Sequence, residues 1–141
     1  MGKPAVHALV ELLFSPDDRL RWEATKALIE IRDSSAGDAL VEKLNDASME
    51  VRWLAAEALV ALRADALIPL LRALQRDFDS VFFRDGARHI LRALKNDGIL
   101  NRQTLMVLDG LRSNEPPVYT ALTAHEALMS LVENQDPGTL P

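Results

Sequence analysis

Ser48-Met-Glu-Val-Arg-Trp-Leu-Ala-Ala-Glu-Ala-Leu-Val-Ala-Leu62 is preceded by a near copy of itself, Asp17-Asp-Arg-Leu-Arg-Trp-Glu-Ala-Thr-Lys-Ala-Leu-Ile-Glu-Ile31. The two agree at Arg21/Arg52, Trp22/Trp53, Ala24/Ala55, Ala27/Ala58, Leu28/Leu59 and Ile31/Leu62, an offset of 31 residues. A further 32 residues on, the pattern returns as Phe83, Arg84, Ala87, Ile90, Leu91 and Leu94, and after another 37 as Ala124, Ala127, Leu128 and Leu131. Self-similarity at such a period marks stacked structural units. A shorter amphipathic segment precedes each copy, at 5–14, 36–44, 66–75 and 102–112, with apolar residues at helical spacing (Val6, Leu9, Leu13; Leu67, Leu70, Leu71, Leu74).

The unit is therefore helix, turn, helix. The expected fold is all-α: an α-α superhelix (solenoid) of about four helical-hairpin repeats, eight helices and no sheet. The repeats span about 4–33, 34–64, 65–97 and 98–133 of a domain covering 1–134. The aperiodic end leaves 135–141 as an expected flexible tail. Turn chemistry agrees. Asp17, Ser48 and Ser80 stand just before the second helices, where a side-chain oxygen can accept from an orphan helix N–H. Pro116 and Pro117 open the fourth second helix, Gly98 reads as a helix stop, Gly37 separates the first two repeats, and Pro69 is expected to bend or fray its helix.

The pattern Asp46-x5-Arg52, followed by Ala55, Ala56, Ala58, Leu59 and Leu62, resembles HEAT repeats. It looks closest to the short type named after phycobilisome lyases. The resemblance covers about 4–133, is strongest in the second repeat and weakens in the fourth, where Ala121 replaces the arginine. It implies a right-handed superhelix with second helices on the concave side, and an Asp–Arg ladder along the stack.

At 100° per residue, Val51, Ala55, Ala58, Leu59 and Leu62 form the core stripe of the second repeat. Arg21, Arg52 and Arg84 fall at its edge. The favoured reading is a structural ladder to carboxylates in a neighbouring turn, with Asp46, Asp77 and Asp79 as candidates; the other is a row that binds phosphate or carboxylate. Pointing away from the core are Trp22, Thr25, Lys26 and Ile29; Trp53, Ala56, Glu57 and Val60; and Asp85, Arg88, His89 and Arg92. In the fourth repeat they are Leu122, His125, Glu126 and Met129. The first three groups form the expected partner-binding concave face, with Trp22 and Trp53 as anchors. Against this stands the reading that both indoles merely pack on their neighbours.

With only 5% aromatics, the core must be built from Leu, Ala, Val and Ile. The net charge of −5 disfavours binding driven by a nucleic-acid backbone, and the absence of cysteine removes disulfides and thiolate chemistry. No signal peptide, myristoylation motif or membrane-spanning run is recognised, so a cytoplasmic location is expected. No Walker motif, glycine-rich nucleotide loop or Gly-x-Ser-x-Gly elbow occurs. His125-Glu126 is similar to one His-Glu pair of HEAT-fold di-iron hydroxylases, which need several; His89 and His7 lack partners at ligand spacing. Neither catalysis, metal nor cofactor is expected. The function read here is a non-enzymatic protein-interaction scaffold or adaptor that binds a peptide or helix, or closes a homodimer. Its alternatives are a lyase-like or chaperone-like subunit for a chromophore or cofactor protein, and a nucleic-acid-binding helical repeat.

Overall fold

A computed structural model describes residues 3–135. Among these, eight α-helices and no strand occur: α1 (Lys3–Leu12), α2 (Asp18–Ile31), α3 (Gly37–Glu42), α4 (Met49–Ala61), α5 (Leu67–Arg76), α6 (Val81–Asn96), α7 (Arg102–Arg112) and α8 (Val118–Gln135). Short 3-10 turns at Ser34–Ala36 and Lys43–Asn45 flank α3, and a third at Arg63–Ala66 leads into α5. Because α8 runs through Gln135, the first residue of the expected tail is helical; 136–141 lie outside the described residues.

Helices α2, α4, α6 and α7 begin where side-chain oxygens satisfy orphan donors, whereas α3 and α5 follow 3-10 turns without a side-chain cap. Asp17 accepts from the Arg19 amide, Ser48 from Val51, Ser80 from Phe83 and Asn101 from Thr104. Each such cap stabilises its helix by about 1 kcal/mol. Pro69 does not interrupt its helix. It is the third residue of α5, where an N–H has no intrahelical partner, and α5 continues unbroken to Arg76. Its ring also explains Gly37: a Cβ there would stand 3.1 Å from Pro69 Cγ, so the glycine lets α3 and α5 approach.

Gly98 ends α6 with φ at +73°. Its amide donates to the Lys95 carbonyl at 2.9 Å and the Ile99 amide to Leu94 at 3.0 Å, the two bonds of a Schellman stop. Nothing lies within 4 Å of a Cβ at this position, so Gly98→Ala introduces only backbone strain. Urea unfolding should show a loss of roughly 1–2 kcal/mol, with Gly98→Asn milder, because asparagine tolerates this conformation better. An alanine variant as stable as the parent would mean that the turn relaxes out of the left-handed region.

The second helices α2, α4 and α6 lie side by side in one layer, with α3 and α5 packed together behind them. All five positions of the expected core stripe in α4 are buried, as are Ala24 and Leu28 of α2 and Ala87, Ile90 and Leu91 of α6. Small alanines bring helices close, and leucines fill the spaces between layers. The last hairpin departs from this order. Its helix α8 packs mainly on α5 and α7, while α7 rather than α8 continues from α6. Phe83 and Ile90, both fully buried, stand where the second repeat has the smaller Val51 and Ala58. The fourth outward group, Leu122, His125, Glu126 and Met129, is exposed on α8 but does not extend the α2–α4–α6 layer.

The edge arginines share one local contact. Each donates from Nη1 to the carbonyl six residues back: Arg21 to Ser15 at 2.9 Å, Arg52 to Asp46 at 2.7 Å and Arg84 to Phe78 at 2.8 Å. What lies beyond differs. Arg21 grips the Asp46 carboxylate with Nε at 3.0 Å and Nη2 at 3.2 Å. Arg52 meets neither Asp77 nor Asp79; its guanidinium stacks on the Phe82 ring, 3.9 Å from the centroid, while Asp77 pairs with Arg76. Arg84 donates to the Thr120 hydroxyl at 2.8 Å. The expected ladder is thus corrected to a single acidic rung. The rung needs an acid six residues before the next arginine, and that place holds Asp46 before Arg52 but Phe78 before Arg84.

Candidate functional site

Four large apolar side chains are exposed along the N-terminal halves of α4 and α6: Met49 (67%), Trp53 (58%), Val81 (70%) and Phe82 (53%). Their exposure follows from the caps. Met49 and Val81 come directly after Ser48 and Ser80, at the first helical turn, before the next layer can cover them. Trp53 lies one turn further along α4 and stands between two clefts, each of about 340 Å³.

The cleft between α4 and α6 has buried Leu44 and Ala56 at its base, with Gly86 beside them. A Cβ on Gly86 would come within 3.1 Å of Leu44 Cδ2, so the glycine lets α6 lie close over Leu44 and keeps the cleft open. Trp53 and His89 form one wall, with ring centroids 5.4 Å apart and planes inclined at 43°. His89 Nε2 lies 2.9 Å from Glu57 Oε1, which fixes the ring against the indole. Arg52 stacked on Phe82 forms the other wall. Asp85 stands at the edge, 3.4 Å from Arg88 Nη2. The second cleft joins Trp53 to Trp22 through Met49, Glu50 and Leu54, and Lys26 Nζ sits 4.9 Å above the Trp22 ring.

Of the twelve residues expected on this face, Trp22, Lys26, Trp53, Glu57, Asp85, Arg88, His89 and Arg92 are exposed or partly so. Thr25 and Ala56 are buried, and the Thr25 hydroxyl donates to the Arg21 carbonyl at 2.7 Å. Ile29 and Val60 pack against the core rather than extending an exposed apolar strip. The reason is lateral stacking. A wheel drawn on one helix sees its hairpin partner, whereas α2, α4 and α6 also cover one another's flanks. Met49, Val81, Phe82, Leu44 and Gly86 were absent from the expected face. An apolar residue directly after a helix cap, as at Met49 and Val81, was the signal available.

Among the described residues no three His, Asp or Glu side chains converge as metal ligands. His125 Nδ1 lies 3.2 Å from Gln75 Oε1. No described helix is long and apolar enough to cross a membrane. The family model described as HEAT repeats matches residues 6–92, more than half of the chain. The match ends inside α6, where regular stacking also gives way to the divergent last hairpin. No curated protein and no solved structure matches the chain.

Proposed function

The chain belongs to the HEAT-repeat family, and we propose that it is a non-enzymatic interaction module whose α2–α4–α6 face holds an amphipathic helix or extended peptide of a partner protein. The observation that carries this reading is Trp53, more than half exposed between two apolar clefts. An indole held rigidly by its neighbours and flanked by depressions is the usual anatomy of a binding hot spot. Shallow apolar grooves of this kind accept helices through residues spaced one turn apart. Charge narrows the partner. Lys26 stands over Trp22, Arg52 lines the α4/α6 cleft and Arg88 pairs with Asp85 at its edge, against Glu50, Glu57 and Asp85, so the face is of mixed charge. With Arg52 paired to no acid among the described residues, an apolar segment that carries an acid fits this face better than a basic one.

Selection from a random peptide library displayed on phage, with the purified chain as bait, tests the proposal. Peptides recovered on the parent should carry apolar and acidic residues together. Trp53→Ala should weaken them by about 2 kcal/mol or more, roughly thirtyfold, while thermal unfolding changes little. Peptides that bind the variant equally well would remove the face as a docking site. If Trp22→Ala with Trp53→Ala instead turns a dimer into a monomer in sedimentation, the occupant is a second copy of the chain. Retention of a bilin would favour a lyase-like or chaperone-like subunit of the phycobilisome-lyase type, and strongly salt-dependent DNA binding a nucleic-acid repeat.

A further inference from the structure

We propose that the α4/α6 cleft reads a carboxylate beside an apolar anchor, with Arg52 as the reader. This rests on the docking face described above and names the chemistry of its central subsite. Three observations converge there. First, the base is apolar and the volume of about 340 Å³ suits one bulky side chain resting on Leu44, Ala56 and Gly86. Second, Arg52 lines this cleft paired with no acid among the described residues, since Asp85 at the edge pairs with Arg88. The ladder geometry that gives Arg21 a carboxylate from the next repeat gives Arg52 only the face of Phe82. Its Nη1 is occupied by the carbonyls of Asp46 and Ala47, at 2.7 and 3.3 Å, whereas Nε and Nη2 donate to no acceptor among the described residues.

Third, the guanidinium is oriented before any ligand arrives. Stacking on Phe82 fixes its plane and the two carbonyls fix one corner, which leaves the Nε/Nη2 edge without an acceptor among the described residues. That edge is the fork that holds a carboxylate through two parallel bonds, and its ordering entropy is already spent. Arg84 also pairs with no acid among the described residues, but it bonds the Thr120 hydroxyl and does not line this cleft. The same ligand chemistry could come from an Asp or Glu next to the anchor, or from a free C-terminus whose last residue is apolar.

Titration of the ¹⁵N-labelled full chain with three small probes separates these outcomes: N-acetyl-phenylalanine, N-acetyl-Phe-Glu amide and N-acetyl-Phe-Gln amide. The readouts are the Gly86 amide and the Trp53 indole N–H, which border the cleft. At least one carboxylate-bearing probe should saturate at a concentration about fivefold or more below that of the Phe-Gln amide. Which of the two binds better distinguishes a chain terminus from an acidic side chain. Arg52→Gln should abolish the difference, and Arg52→Lys should restore only part of it, because an ammonium cannot form the paired bonds. Since Arg52 also holds its own turn, the comparison among probes on the unmodified chain decides the matter even if these variants fold poorly. Three equal titrations would overturn carboxylate reading while leaving the apolar groove in place; no shift at either reporter would also overturn it. The groove itself stands or falls by the peptide selection on Trp53→Ala.

Discussion

Phe83→Ala should cost roughly 3–5 kcal/mol, the range found when a buried aromatic ring is truncated and its cavity only partly collapses. The ring is fully buried and is the largest of the completely enclosed side chains. It fills the position where the smaller Val51 sits one repeat earlier. A domain of this size has about 5–15 kcal/mol of stability in all, so the variant should be near its unfolding threshold at 37 °C. In urea, the midpoint should fall sharply while the slope stays constant. The adjacent residue is the control. Phe82 is half exposed, and Phe82→Ala should cost well under a third as much, although it removes the ring beneath Arg52. Equal losses at both positions would mean that the two rings share one buried environment, contrary to the packing of α6.

These two phenylalanines also mark how far the sequence could be read. Phe83 aligns with Val51 in the apolar period, so its burial followed from the repeat. Phe82 has no apolar counterpart at Glu50 or Arg19, and periodicity alone assigned it no role. The all-helical repeat, the caps at Asp17, Ser48 and Ser80, and the stop at Gly98 are local features, and local chemistry sufficed to find them. The candidate face depends instead on what the neighbouring repeats lay beside a helix in the same layer. Hence helical spacing turns Trp53, Thr25 and Ala56 outward alike, yet only Trp53 is exposed, since lateral covering leaves no trace in a single helix's spacing. The same limit affected the ladder. Asp77 and Asp79 are near the right turn, but only the residue six before the next arginine is in reach, and there the third repeat carries Phe78. In the fourth repeat, Ala121 in place of arginine and the longer interval of 37 residues were the visible signs of a hairpin that leaves the stack.

The single acidic rung supplies the second large effect. Asp46 is only 4% exposed in its side chain and accepts from Arg21 Nε, Arg21 Nη2 and the Ser48 amide, with Lys43 Nζ at 3.4 Å. Asp46→Asn removes the charge that Arg21 faces and replaces one acceptor oxygen by a donor. Arg21 then keeps, in a largely enclosed place, the Ser15 carbonyl and at most one bond to the amide oxygen, for which the Ser48 amide competes. The expected loss is roughly 2–4 kcal/mol, between an orphaned buried hydrogen bond and the breaking of a fully buried ion pair. Its pH dependence is the sharper test. Burial by itself raises the Asp46 carboxyl, but the Ser48 amide bond, the Arg21 bond and charge, and Lys43 outweigh it and hold the group below its ordinary value of 3.8. The unfolded chain therefore takes up this proton before the folded chain does. The contribution of Asp46 is fully present above the ordinary carboxylate range and is lost as pH falls through its lowered folded value. Chemical unfolding measured from about pH 6 down to about pH 3 should show the parent losing stability more steeply than Asp46→Asn, so that the two curves converge in acid. Parallel curves would mean that the Asp46 carboxylate gains nothing from folding, and the rung between the first two repeats would then be a contact without energetic weight.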